Sequence, residues 1–257
     1  MEFLFADWLG TPAWFWLVFL GLVAALTAFD LGILHKEDRE MGISESLKLS
    51  AFYIGIALLF GVWIWIERGA DLGMKYYTGF FIEKALSIDN VFVISLIFTY
   101  FAIPPKYQYR ALLWGIMAVI VLRGLMIAGG AALVSQAYWV LYIFAAFLIF
   151  TGIKMFFAGD EPMDVAKNPV VRWISTHMRV TRELHAQHFF VKVPDEKTGK
   201  LVTAATPLFL ALVVINLADL VFAVDSVPAI FAITTDTFIV YTSNIMAILG
   251  LRALYFA

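Results

Sequence analysis

Seven stretches of this chain, at about 12–34, 48–67, 78–101, 111–134, 137–158, 204–233 and 237–257, are apolar for long enough to cross a hydrocarbon core of roughly 30 Å. Lipid offers no water to an unpaired backbone N–H or C=O, so runs of this length fold as helices that satisfy their own backbone. The composition agrees: 62% of the 257 residues are hydrophobic and 15% are charged, with a mean hydropathy of +0.87. The expected fold is an all-α membrane protein with about seven transmembrane helices. In the sixth run, Pro207 near the start and Pro228 within predict a kink or an unwound stretch.

The placement of basic residues gives the orientation. Lys36, Arg39, Lys48, Lys106, Arg110, Lys167, Arg172, Arg179, Arg182, Lys192, Lys197 and Lys200 fall on one side, and only Arg68 and Lys75 on the other. The positive-inside rule then puts the N-terminus outside and the long loop in the cytoplasm. Glu2 and Asp7 precede the first apolar run and the first basic residue is Lys36, so the basic region of a cleaved signal peptide is missing and the first run reads as a permanent span.

Three parts follow: an N-terminal membrane half over 1–158, a cytoplasmic loop over 159–203, and two further spans over 204–257. Within the loop, residues 168–187 read as a basic amphipathic helix started by Pro169. Phe189-Phe190-Val191 and Leu201-Val202 flank a polar turn and read as a hairpin. His185 and His188 share a face if their stretch is helical, which with His177 makes them candidate metal or pH sensors; a plain solvated loop is the stronger reading.

Inside the apolar sequence one pattern occurs twice: Glu83-Lys84-Ala85-Leu86-Ser87-Ile88-Asp89-Asn90 and Asp219-Leu220-Val221-Phe222-Ala223-Val224-Asp225-Ser226. Carboxylates at bilayer depth cost several kcal/mol on most scales and mark ion paths, proton relays or substrate sites. The following span repeats as well. Gly115 to Leu125 aligns without gaps on Asn244 to Leu254, which superimposes Arg123 on Arg252. Spans three and six run in opposite directions, so the repeat is inverted, a recurring design of secondary transporters with polar sites at the midplane. The first unit covers about 78–158; the second lacks a counterpart of its last span.

The two acids of each copy are six residues apart, which on a regular helix puts them roughly 120° out of register. Either the helix unwinds between them or the carboxylates serve different levels of a path. Glu83, Asp89, Asp219 and Asp225 with Asn90, Ser226 and backbone carbonyls form an all-oxygen set suited to Mn²⁺, Mg²⁺ or Ca²⁺. The chain has no cysteine and no histidine in a span, so thiolate and imidazole sites are excluded there. Protons could replace the ion when it is absent, a route to proton-coupled exchange. Alternatively, Arg123 and Arg252 neutralise Asp89 and Asp225 as buried pairs. Asp30 and Lys154 sit near span ends and are expected to snorkel to the interface, with Asp30 also a candidate for the path.

The segments Ile82 to Val93, Phe222 to Phe231, Thr242-Ser243-Asn244 and Leu249-Gly250-Leu251-Arg252 resemble the TerC family, and within it the Alx-like bacterial members. The likeness runs through essentially the whole chain, including Tyr142 to Lys154 and His188 to Val191. It implies a multi-pass protein of the bacterial inner membrane, associated with Mn²⁺ export and with metal supply to exported enzymes, and a longer parent with about two further spans. It assigns Glu83, Asp89, Asp219 and Asp225 to the site, with Asn244 in its surroundings. Asn216 departs from the family pattern, where many members carry Glu three residues before the second-copy Asp; an oxygen donor is kept and a charge is lost.

The expected function is efflux of a divalent metal, Mn²⁺ foremost, with the bilayer and a metal ion as partners, protons as a candidate coupling ion, and no organic cofactor or nucleic acid. A homo-oligomer or a secretion-machinery partner is the further expectation. The rival is a membrane scaffold for a secretion or envelope-stress complex, with the acids serving helix packing. No hydrolase motif is present, so no enzyme is expected. The resemblance also carries a historical label of tellurite resistance, which an acid-lined path, repelling oxyanions, leaves without physical support.

Overall fold

The computed structural model describes residues 2–34, 42–157, 173–174, 176, 178–181, 183–194 and 201–256. A short helix α1 (Glu2–Phe5) and a small antiparallel pair, β1 (Asp7–Trp8) with β2 (Thr11–Pro12), lead into α2 (Ala13–Leu34). The chain continues through α3 (Ile43–Arg68), α4 (Ala70–Tyr100), α5 (Pro105–Gln136) and α6 (Val140–Phe157). After β3 (Phe190–Pro194) and β4 (Leu201–Ala205) come α7 (Pro207–Phe231), α8 (Thr237–Leu249) and α9 (Leu251–Tyr255).

Each of the seven apolar runs lies on one of these helices, α8 and α9 together making the last. Among the described residues, five segments are long and apolar enough to cross a membrane: Ala13–Asp30, Ile43–Arg68, Pro105–Gln136, Pro207–Phe231 and Thr237–Tyr255. The 31 residues of α4 are ample in length, but Asp71, Lys75, Glu83, Lys84 and Asp89 load it with charge. In α6 the apolar part is the short stretch Val140–Lys154. Large apolar side chains point outward along the helices, among them Leu59 and Ile66 of α3, Phe92 of α4, Leu125 of α5 and Phe150 of α6, as expected of surfaces that meet lipid tails.

The helix ends follow local chemistry. Gly69 alone joins α3 to α4; its φ of 91° lies in the left-handed region, which glycine enters without a Cβ penalty. Pro207 begins α7 at a position where a missing N–H is harmless, and the Thr206 hydroxyl accepts from Phe209 N–H. The same hydroxyl donates to the His188 carbonyl at 2.8 Å, fastening the hairpin to α7. Asp236 caps α8 by accepting from Ile239 N–H at 3.1 Å, and it pairs with Arg68 at 3.0 Å. Arg68 also lies over the rings of Phe15 and Phe238, which ties the start of α2, the end of α3 and the start of α8 into one seam.

Three sequence expectations change. Pro228 does not unwind its helix: α7 stays helical to Phe231, because the lost N–H falls in the last turn, where one missing bond breaks little. Residues 183–189 form turns rather than a helix, with His185 and His188 bonded through the backbone at 3.1 Å, so no shared helical face exists there. Most of 168–187, including His177, lies outside the described residues. Asp30 does not snorkel: it is buried, and the Tyr109 hydroxyl donates to its backbone carbonyl at 3.0 Å. The hairpin is antiparallel, with Phe190 opposite Ala205 and Pro194 opposite Leu201. Its turn, 195–200, lies outside the described residues.

An aromatic core of Phe19, Phe60, Tyr76, Phe80 and Phe238 packs α2, α3, α4 and α8 together. Tyr76 donates to the Ala57 carbonyl at 2.9 Å, which gives this buried phenol the partner it requires. The result is a frame in which the middles of α4, α5, α7 and α8 face one another.

Candidate functional site

At the centre of that frame lies Arg123, 1% exposed. It stands roughly 27 Å from the start of α5 and roughly 20 Å from its end at 1.5 Å per residue, deep in any bilayer this helix spans. Its guanidinium gathers four side chains from three other helices. Nε and Nη2 donate to the two oxygens of Asp219 on α7 at 3.1 and 3.0 Å. Nη1 donates to Glu83 Oε1 on α4, to Asn244 Oδ1 on α8 at 2.8 Å, and to Ser226 Oγ on α7 at 3.3 Å. Asn244 Nδ2 then donates to the other Glu83 oxygen at 3.0 Å, closing the ring. The planar fork of arginine suits the bidentate hold on Asp219, and every buried charge has an opposite charge beside it. With both carboxylates ionised the cluster carries one negative charge in excess.

The second acid of each copy faces elsewhere. Both α4 and α7 are unbroken across their motifs, so the six-residue spacing turns Asp89 and Asp225 away from Glu83 and Asp219. Asp89 is exposed on α4, without a hydrogen-bonded or ion-paired partner among the described residues. Asp225 is half-buried on α7, within electrostatic range of Lys154 on α6. Arg123 therefore pairs with the first acids rather than with Asp89, a correction to the pairing weighed from sequence. Arg252 lies within α9, and its side chain is outside what the structure describes. Among the described residues no three Asp, Glu or His side chains gather as a ready ligand set.

Asn90 is buried nearly two helical turns beyond Glu83, and its Oδ1 has no hydrogen-bond partner among the described residues. It lines a cleft with Asp219, Gly115, Val119, Leu251 and Tyr255. The cleft lies between the Arg123 cluster and the end of the bundle where α4 finishes and α5 and α7 begin, and it has room for roughly two water molecules. Asn216 donates to the Leu212 carbonyl at 2.8 Å and keeps a buried Oδ1 without a partner near Gly115.

Toward the other end the helices pack closely at two glycines. A Cβ on Gly79 would fall 2.8 Å from Ser243 Oγ, and one on Gly130 would fall 2.9 Å from the Phe231 ring. The site has a cleft on one side and close helix packing on the other.

Two residues unassigned by sequence reasoning meet at the junction of α8 and α9. Lys84 Nζ donates to the Ala247 carbonyl at 3.3 Å and reaches Gly250, where α8 gives way to α9. A cation at the carbonyl end of a helix is favourable. Its signal was its own position, an unassigned ammonium beside Glu83 in an apolar run. Tyr53 packs on the same Gly250, beside a small polar pocket holding Asp30 and Thr27.

Comparison with known proteins finds membrane proteins of similar sequence. An uncharacterized membrane protein of Rickettsia felis is 49% identical over 241 residues, covering 94% of this chain and 78% of that protein. One from Myxococcus xanthus is 41% identical over 247 residues, covering 96% and 75%. A protein of Photorhabdus laumondii with the provisional name membrane-bound redox modulator Alx is 42% identical over 256 residues, covering 96% and 78%. No solved structure matches the chain. With the family profile matched over residues 68–257, the chain belongs to the integral membrane protein TerC family.

Proposed function

We propose that this protein carries a divalent metal ion, Mn²⁺ foremost, out of the bacterial cytoplasm across the inner membrane. The observation that carries the reading is the convergence of Glu83, Asp219, Ser226 and Asn244 at mid-helix depth from three helices. These are hard oxygen donors of the kind Mn²⁺ and Mg²⁺ take. Asp89, Asp225 and Asn90 then serve other levels of the path, since their register separates them from the first acids. All seven helical segments span in this reading, with the N-terminus outside and the hairpin loop in the cytoplasm. Glu83 and Asp219 meeting one guanidinium supports an inverted repeat, with α4 equivalent to α7. The cleft beside Asp219 then faces the cytoplasm.

The test is cellular Mn²⁺ tolerance with Glu83→Gln and Asp219→Asn, followed by Mn²⁺ uptake into inverted vesicles. Sensitivity to Mn²⁺ with normal protein levels supports transport; full tolerance in both variants ends it. No enzyme activity is proposed. The redox role in the name of the Photorhabdus relative has no thiol to act through here, as the chain contains no cysteine.

A second reading, a membrane scaffold for a secretion or envelope complex, draws on the completeness of the Arg123 network, which bridges α4, α5, α7 and α8 as a packing device would. It predicts that Glu→Gln and Asp→Asn exchanges that keep shape and hydrogen bonds preserve function.

A further inference from the structure

We propose that Arg123 is a tethered competitor of the cargo: its guanidinium and the divalent ion occupy the oxygens of Glu83, Asp219, Ser226 and Asn244 in turn. The inference rests on the transport reading above and adds how that site is emptied and refilled.

The oxygens a divalent ion would need are the ones Arg123 already holds. Both Asp219 oxygens, Glu83 Oε1, Ser226 Oγ and Asn244 Oδ1 each accept from one of its nitrogens. Charge forbids sharing. With both carboxylates ionised, Arg123 alone leaves one negative charge, ion and Arg123 together leave one positive charge, and the ion alone leaves none. In a site this buried the neutral arrangement is favoured, because an unbalanced charge away from water costs several kcal/mol. The ion therefore stays only when the guanidinium withdraws, and returning guanidinium expels it. No stage leaves two bare carboxylates facing each other.

The cleft supplies the approach. It reaches Asp219 directly, and the buried Oδ1 of Asn90, unsatisfied by any described residue, is an oxygen donor on its wall. An ion entering there meets Asn90 and Asp219 before Glu83. Its room for roughly two waters requires that most of the hydration shell be shed on entry.

Competition is separable from simple charge repulsion by using lysine. The full chain in detergent is titrated with Mn²⁺, following loss of the aqueous Mn²⁺ resonance, for wild type, Arg123→Gln and Arg123→Lys. Removing a close charge from such a cluster changes affinity by about tenfold or more, so Arg123→Gln should tighten Mn²⁺ binding by at least that factor. Arg123→Lys keeps the positive charge but loses the fork that holds Asp219, and should fall between the two. In vesicles Arg123→Gln should hold its ion and exchange it slowly.

Lysine binding equal to wild type, with glutamine tighter, would mean repulsion at a distance and overturn the proposal. So would wild-type binding that neither variant improves, with the transport reading left standing. No binding by wild type or by any folded variant would end the transport reading itself. If Arg123→Gln does not fold, Arg123→Lys decides alone: tighter than wild type supports competition, and equal or weaker overturns it.

Discussion

Glu83 on α4 and Asp219 on α7 bind neighbouring nitrogens of one guanidinium, so the first acid of each sequence copy meets the other across a single shared cation. The two copies are thus joined at the depth where a charge is most expensive, and the joint holds four helices in register.

Truncating Arg123 should be severe. Arg123→Met leaves Glu83 and Asp219 buried without their counter-charge, a loss of about 3–5 kcal/mol for a broken buried pair. Combining it with Glu83→Gln and Asp219→Asn removes the orphaned charges and should recover most of that loss. Unfolding of the single and triple variants in mixed micelles checks both statements.

Asp89 and Asp225 should behave differently from the first acids. Neither belongs to the Arg123 ring, so Asp89→Asn and Asp225→Asn should leave stability within about 0.5 kcal/mol of wild type. Both should nonetheless raise Mn²⁺ sensitivity in cells, because a path needs its intermediate levels. Tolerance measured beside micellar unfolding separates the two effects.

Lys84 should act on the α8 to α9 junction. A cation at a helix C-terminus contributes about 0.3–2 kcal/mol, and Lys84→Met removes it from the Ala247 carbonyl. The expected outcome is faster amide hydrogen exchange over residues 250–255, with exchange in α4 unchanged.

Gly79→Ala should cost stability where a helical Gly→Ala exchange ordinarily gains it. The added methyl lies 2.8 Å from Ser243 Oγ, and overpacking of this kind costs about 1–3 kcal/mol. Gly55→Ala on α3, where nothing lies within 4 Å, serves as the control and should show no loss.

The helices were legible because lipid imposes one solution on long apolar runs, and the acids stood out because a charge within such a run demands a reason. Spacing turned Glu83 and Asp89 apart only on an unbroken helix, and unwinding stayed open until α4 and α7 were seen to be continuous. Two things could not be read. The partners of Arg123 come from helices 40 and 96 positions away in sequence, and only packing decides which carboxylate of each pair turns inward. Helix ends beyond the hydrocarbon also escaped, since 68–77 looks like a polar loop while α4 starts at Ala70, directly after Gly69. Hydropathy finds where a helix meets lipid, not where its hydrogen bonds begin.

The contacts of Gly79 with Ser243 and of Gly130 with Phe231 act as a closed zip along one end of the bundle. The atoms in the way belong to the side chains of Ser243 and Phe231, so a rotamer change there loosens the packing locally without moving a helix. On the transport reading proposed above, a wider opening at this end would move α8 and the tail of α7 away from α4 and α5. Such a movement would also part Asp236 from Arg68, the ion pair that joins the start of α8 to the end of α3. A pair of spectroscopic labels placed across it would count openings one at a time.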